Sequence, residues 1–578
     1  MSWRAMRSVW LLALVTLAGC ARVPGTPAAK GAPAAAAPTT ISVIATTDLH
    51  GHLETLPWFS GHLANVREAR RLDHGGVLLV DAGDMWQGTL ESNLSEGAAV
   101  VRAYNALGYH AAAIGNHEFD FGPVGPDTVP RKPGDNPTGN LEKQAQAATF
   151  PFLAANVVAR AGGAWTPANV RPSTMVTVAG VRIGLVGVTT TTTPGATDPR
   201  NLVNLRVVAL RDVVVREAER LRASGAAIVV VLAHAGGRCD AFTDPGDLAT
   251  CRPQSEVFRL AQALPAGAVD VIAAGHTHEG IAHRVNGIAV IQGFNEGRAF
   301  SRVDLVIAPA AATVRTDIHA PRFVCDGRRL RSVSTWADDE CAPPPYEGRP
   351  VRHDARVLDV MRADIERARQ RREQPLGVAV AERYWHSSRE ESPASNLVVD
   401  LLRVARPGTD LAIYNATGTR ATLQPGPVTY GDVYAMLPFD SVVATATLSG
   451  REIGDAIARG LSRGTVPIVS GIEADVTCLG ATPRVVLSRD GAPVAPDTAL
   501  SVVTSEFLAS GGSGLFDGLD ARFALQLDMP MREAVVSVVS ASADRISAGA
   551  IGGYAPTRKR VRYPGNSLPL RCPVPPTQ

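Results

Sequence analysis

The sequence predicts an α/β chain built as two large domains, with a cation site on the strand ends of the first. Three observations carry this reading. Short apolar runs of strand length alternate with helix-like amphipathic segments between residues 41 and 307. Five of those runs stop at Asp, Asn or His beside a glycine, at the rim where open α/β sheets bind ligands. A second set of alternating segments begins after Pro375, beyond a Pro-rich, charged connection. The chain has 578 residues, too many for one core. Hydrophobic residues make up 45% and charged residues 19%, an ordinary globular balance. A net charge of +2 gives no basis for a nucleic-acid polymer as partner.

At the start of the chain, Arg4 and Arg7 precede an apolar stretch from Val9 to Leu17, too short to span a bilayer as a mature helix. It closes on Leu17-Ala18-Gly19-Cys20, which resembles the lipobox of bacterial lipoproteins. That resemblance implies export, lipidation of Cys20 and a membrane anchor. Ala21 in second position points to the outer membrane, facing the periplasm or the cell surface. Residues 21–40 are rich in Ala, Pro and Gly and read as a flexible tether. Six cysteines remain: Cys239, Cys251, Cys325, Cys341, Cys478 and Cys572. An even number in an exported chain predicts disulfides. Fifteen pairings are open. The local pairs Cys239–Cys251 and Cys325–Cys341 are favoured, which leaves Cys478 with Cys572.

The run 41–46 reads as a strand and leads into Asp48 and His50, which alternate and so face one side in extended backbone. A helix is expected over 63–72. The run 77–80 delivers Asp81 and Asp84; Asp81 reads as a buried supporting carboxylate. A helix over 98–107 leads into Gly115-Asn116-His117-Glu118-Phe119-Asp120. Asn and His are both ligands for divalent metals, and His with Asp three residues on forms an oriented acid/base pair. Strands over 152–158, 174–178 and 181–188 follow. The last runs into Thr189 to Thr193, five threonines to which the sequence assigns no role. A helix over 210–223 precedes the strand 226–233, which ends in His234. A helix over 257–264 precedes the strand 269–274, which ends in Gly275-His276-Thr277-His278. Strands over 288–292 and 301–307 continue the sheet. Five of the thirteen histidines fall at these ends, and together they predict a two-metal site. His52, His62, His74 and His110 read as surface or helix-end histidines.

The ordered pieces TTDLHGH, GDMWQG, GNHEFD, LAHAGG and GHTHEG resemble the calcineurin-like metallophosphoesterases, and within them the 5′-nucleotidase / UDP-sugar hydrolase family. The resemblance implies a β-sandwich flanked by helices, followed by an α/β substrate-binding domain. It implies two divalent ions, with Mn, Zn or Co expected. One would be held by Asp48, His50 and His278, the other by Asn116, His234 and His276, with Asp84 bridging. It implies hydrolysis of phosphate from nucleotides by attack of a metal-bridging hydroxide. His117 would stabilise the transition state or protonate the leaving oxygen, with Asp120 orienting its ring. The same scaffold serves 2′,3′-cyclic-nucleotide phosphodiesterases, UDP-sugar hydrolases and thiosulfohydrolases. A non-catalytic surface binding lipoprotein is a further alternative, against which the complete ligand set argues.

The expected division is a signal peptide at 1–20, the tether at 21–40 and a metallophosphoesterase domain at 41–320. A connecting segment and linker helix follow at 321–375, then a substrate-binding domain at 376–560 and a tail at 561–578. The linker helix is expected over 354–372. In the second domain the resemblance implies that Asn415 and Arg420 contact substrate and that Phe439 and Phe507 sandwich a base. Three departures stand out: Ser395, and Ala416 with Thr417, replace glycines, and Ser513 stands where Asp is usual and where ribose hydroxyls are bound. Arg389 lies near, but out of register with, a further phosphate-binding arginine.

Overall fold

Two sheets face each other in the first domain, and the residues between them alternate along each strand. The structure is a computed structural model; it describes residues 38–125, 127–307, 314–325, 341–542, 545–546, 558–565 and 568–572. Cys20 and the apolar segment before it lie outside the described residues. In the first sheet, Thr39–Thr46, Gly76–Asp81, Ala111–Ala113 and Phe152–Leu153 run parallel in that order. Ala299–Ile307 and Val314–Phe323 extend it antiparallel beyond Thr39–Thr46. The second sheet has Val181–Thr189, Ile228–His234, Val271–Ala274 and Ile288–Gly293 in parallel. Antiparallel edges are supplied by Ser173–Val178 and Gly280–Val285.

Val43, Val80, Leu185, Val230, Ala273 and Val303 fill the space between the sheets, all fully buried. Helices Leu56–Leu72 and Ala98–Leu107 cover the outer face of the first sheet, and Leu210–Ala223 and Glu256–Ala263 that of the second. This is the helix-flanked sandwich that the resemblance implies. Parallel strands that share one direction bring the donor-bearing ends of Thr39–Thr46, Gly76–Asp81, Ala111–Ala113, Ile228–His234 and Val271–Ala274 to one rim.

The second domain is also α/β. Its five-stranded sheet has the order Pro467–Ser470, Leu411–Asn415, Ala499–Ser505, Val442–Ser449 and Ala524–Pro530. The helix Pro393–Ala405 begins on a capping box in which the Ser392 and Ser395 side chains each accept from the other's backbone N–H. Ser395, where glycine was expected, thus closes a helix N-terminus. Three disulfides are present, Cys239–Cys251, Cys325–Cys341 and Cys478–Cys572. No helix among the described residues is long and apolar enough to cross a membrane.

Several local expectations need correction. The strand over 152–158 is two, Phe152–Leu153 and Val157–Ala159. Between them the chain leaves the first sheet: Ala155 N–H donates to Gly187 of the second, and Asn156 bridges the backbones of Thr189 and Val208. The helix over 63–72 starts two turns earlier, at Leu56, with Pro57 in its first turn. The linker helix over 354–372 is broken into Ala355–Asp359 and Arg362–Arg372, because Met361 turns into the core of the first domain. The connecting segment starts later than residue 321, since the edge strand runs to Phe323. The expected tail is tied in: Val561–Arg562 pairs with Glu473–Leu479, and Cys572 is bonded to Cys478.

His62 is not a surface residue. It is fully buried, its Nε2–H donates to Val324 O, and burial pushes its pKa down from 6.5 to about 4. The unfolded chain therefore binds a proton that the folded one excludes. Its contribution is complete above about pH 6.5 and falls as pH drops towards about 4. The expected loss is on the order of 2–3 kcal/mol. Urea midpoints of the wild type and His62→Gln measured across that range check it; equal acid slopes would refute it.

Candidate metal centre and substrate cavity

The rim is built from backbone that ordinary residues avoid. Asp48, His50, Asp84, His276 and His278 all adopt positive φ, between 49° and 76°. Such conformations persist only where surrounding structure over-determines them, and they cluster at functional sites. The loops are laced together. Asp48 N–H donates to Gly83 O, His50 N–H to Asp84 O and His276 N–H to both oxygens of Asp48. Gly115 has no room for a side chain, since a Cβ would stand 2.2 Å from Asp84 Oδ1.

Glu118 is the residue that sequence reasoning left without a role. Its carboxylate is buried and accepts from the backbone N–H groups of Gly115, Asp84 and Met85 at 2.6–2.9 Å. It therefore joins two of the ligand loops. The only sequence signal was its place directly after His117.

The donors converge. His50 Nε2 lies 3.0 Å from His278 Nε2, and His278 Nε2 lies 3.5 Å from Asp48 Oδ1. His234 Nε2 lies 3.2 Å from Asn116 Oδ1 and 3.0 Å from Asp84 Oδ2. The same Asp84 oxygen is 3.9 Å from His50 Nε2. Two donors on one cation at about 2.0–2.1 Å stand roughly 3.0–3.4 Å apart, so these spacings suit ligation. His50 Nδ1–H donates to Gln87 O and His234 Nδ1–H to Ala82 O, which aims each Nε2 inward. Asp48, His50 and His278 form one compact group of donors and Asp84, His234 and His276 another.

Burial pushes His276 down to about 4 and His278 to about 3, which leaves neutral rings, the form that ligates metal. Burial opposes the His234 cation too, but the Asp84 carboxylate outweighs it and raises the ring to about 10. Positive charge is thus favoured between His234 and Asp84. His117 lies within reach of His50 and Asp84 as a third such group, but one of its nitrogens is already committed. Its Nδ1–H donates to Asp120 Oδ2 at 2.5 Å, and burial of the ring is outweighed by Asp120 and Asp84, which raise its pKa.

A cavity of about 1010 Å³ runs from these residues into the second domain. Asn415, Arg420, Phe439 and Phe507 all line it, together with Asp84, Asn116, His117, His276 and His278. Arg420 Nη2 lies 3.5 Å from His117 Nε2, and its guanidinium sits 5.3 Å from the centre of the Phe439 ring. Asn415 donates to Thr417 Oγ1, while its buried Oδ1 has no partner among the described residues. Ser513, at φ 56°, places its hydroxyl 3.4 Å from the Asn415 amide. Arg389 does not line the cavity; it pairs with Glu279 at 3.1 Å.

The two domains are joined beside the cavity by Glu506. This buried carboxylate accepts from both Arg131 and Arg200 of the first domain, at 2.5–3.0 Å. Burial opposes its charge, and the two arginines outweigh burial and hold its carboxyl below the usual range. Glu506→Ala would leave two half-buried cations facing each other. The expected cost is about 2–4 kcal/mol, read by calorimetry as a lower Tm. An unchanged Tm would show that the cluster contributes nothing.

The Calcineurin-like phosphoesterase family model matches residues 41–280, and the 5′-nucleotidase, C-terminal domain model matches residues 374–521. The chain carries a calcineurin-like phosphoesterase domain followed by a 5′-nucleotidase C-terminal domain. It is a 5′-nucleotidase-like, metal-dependent phosphoester hydrolase of two domains, and the candidate ligands from Asp48 to His278 lie in the part that the first model matches. It is 24% identical over 510 residues to Protein UshA of Salmonella pullorum, covering 82% of this chain and 86% of that one. It is 25% identical over 490 residues to Endonuclease YhcR of Bacillus subtilis (strain 168), covering 81% of this chain. The chain spans 37% of the length of that larger protein. The fold matches that of a 5′-nucleotidase precursor from Thermus thermophilus, with a TM-score of 0.69 at 22% identity, covering 91% and 99% of the two chains.

Proposed function

We propose that this calcineurin-like phosphoesterase removes phosphate from nucleotides. The observation that carries this is the shared cavity, in which a cluster of metal-ligating groups faces an arginine, two phenylalanines and an unpaired amide oxygen from the second domain. The donor set fits two divalent ions: Asp48, His50 and His278 would hold one, Asn116, His234 and His276 the other, and Asp84 would serve both. Mixed nitrogen and oxygen donors suit Mn, Zn or Co. When bound, such ions polarise a phosphoryl group and lower the pKa of water.

The protein's own groups do the rest. Arg420 carries a permanent charge and grips phosphate oxygens. His117, whose protonated form Asp120 and Asp84 favour, gives its Nε2 proton to the leaving oxygen. Asp120 fixes the tautomer by accepting from Nδ1–H. Phe439 and Phe507 bind the base by stacking, and the Asn415 amide accepts from a sugar or base donor. At about 1010 Å³ the cavity lies at the upper end of the range of small-molecule sites. That favours, as a second reading, a nucleotide with a further group on its phosphate, such as a UDP-sugar.

Three disulfides support an exported protein, and the Leu17-Ala18-Gly19-Cys20 motif supports a lipid anchor at Cys20 in the cell envelope. Palmitate labelling that survives in Cys20→Ser would refute the anchor. The activity itself is tested with AMP, ADP, UDP-glucose, 2′,3′-cyclic AMP and a sugar phosphate. Phosphate release from AMP, abolished by chelator and restored by Mn²⁺, Zn²⁺ or Co²⁺, is expected. Full activity in metal-stripped protein would overturn the reading.

A further inference from the structure

We infer that Thr197 is a positioning residue for the His117–Asp120 pair, presented by the threonine run that precedes it. The inference rests on the reading of His117 as proton donor given above. Asp120 uses its two oxygens differently. Oδ2 accepts from His117 Nδ1–H, and Oδ1 accepts from Thr197 Oγ1 at 2.7 Å. Thr197 is 1% exposed. A carboxylate held by one hydrogen bond still turns about its last torsion, because such sp³–sp² rotations are broad. A second donor on the other oxygen fixes the carboxylate plane. That plane sets the direction of Nδ1–H, and with it the direction in which Nε2 faces Arg420.

Thr197 is itself held from both sides. Upstream, its N–H donates to Thr193 O and closes the short helix Thr193–Ala196. Thr193 is pinned in turn, its hydroxyl donating to Thr190 O and lying 2.9 Å from that of Thr189. Glu256 accepts from the hydroxyls of Thr190 and Thr191. The five threonines thus form a small hydrogen-bonded platform beside the centre. Downstream, Asp198 accepts from the Arg200 backbone and side chain, and Arg200 reaches Glu506 of the second domain. Hydroxyl groups suit this platform because each both donates and accepts over a short reach.

The test uses the full chain loaded with Mn²⁺ and compares AMP, whose leaving alkoxide needs a proton, with p-nitrophenyl phosphate, whose leaving group does not. Thr197→Val keeps the shape and removes the hydroxyl. It is expected to lower kcat on AMP about tenfold, with KM within about twofold, and to lower turnover of p-nitrophenyl phosphate less than about twofold. Thr197→Ser is expected to recover at least half of the AMP activity. In a His117→Ala background, Thr197→Val should have no further effect. If Thr197→Val fails to fold, Thr197→Ala takes its place with the same expectations. Unchanged AMP turnover, an equal loss on both substrates, or an added loss in the His117→Ala background would each overturn the inference. A wild-type protein with no metal-dependent hydrolysis of AMP would overturn the functional reading beneath it, a different result from an active wild type that is indifferent to Thr197.

Discussion

His117→Ala is expected to lower kcat on AMP by about 10²- to 10⁴-fold, the usual worth of a positioned acid or base. Bound metal should stay almost unchanged. The ring lies close to the donors, with its centroid 5.1 Å from that of His50. Its two nitrogens, however, are otherwise employed. Nδ1 is committed to Asp120, and Nε2 lies 3.5 Å from Arg420, on the cavity side. Asp120 and Asp84 raise the ring's pKa against burial and the Arg420 charge. Removing the imidazole therefore takes away a proton and part of the phosphate's surroundings, and spares the ligands. Turnover of an ester with a good leaving group should fall much less. Unchanged turnover of AMP would remove His117 from the mechanism. Loss of a metal ion would reassign it as a ligand.

Asp84→Asn is expected to cost at least about 10²- to 10³-fold in turnover, together with loss of metal. The change keeps the side chain's shape. It deletes the charge and replaces an acceptor oxygen by an N–H₂ that cannot ligate. Asp84 is the carboxylate that both histidine groups approach. Its Oδ2 lies between His234 Nε2 and His50 Nε2, and its Oδ1 accepts from His117 N–H. Its own backbone is gripped by Glu118 and by His50 N–H. The predicted readout is metal content beside kcat for the same preparation. A variant that keeps both ions and more than about a tenth of the activity would show that Asp84 does not bridge.

What could be read in the sequence follows from what kind of contact each residue makes. Asp48, His50, Asp84, Asn116, His234, His276 and His278 sit at the ends of short apolar runs, so one rule about strand ends brings them together before any coordinates are known. The alternation gives an α/β fold, and the helix-flanked sandwich comes from the family resemblance. Glu118 was not legible, because its partners are backbone N–H groups of a loop more than thirty residues earlier as well as its own. Thr197 was not legible, because nothing local separates it from the threonines before it. His62 was misread: its partner, Val324 O, is 262 residues away, and a histidine on an amphipathic helix carries no mark of burial. The strand over 152–158 was misread because an apolar run does not disclose that the chain changes sheets at Ala155. The Glu506 cluster depends on how two domains meet, which no periodicity encodes. Ser513 was noticed as a departure, but only its distance from Asn415 gives it a place in the cavity.

One protein-built centre is expected to hold two divalent ions with Asp84 between them. Anomalous diffraction from crystals grown with Mn²⁺ or Zn²⁺, collected at the metal edge, tests it most directly. Two peaks about 3.5–4 Å apart are expected, one within ligating distance of Asp48, His50 and His278, the other of Asn116, His234 and His276, with Asp84 reaching both. A single peak, or none at these residues in protein that hydrolyses AMP at full rate, would contradict it.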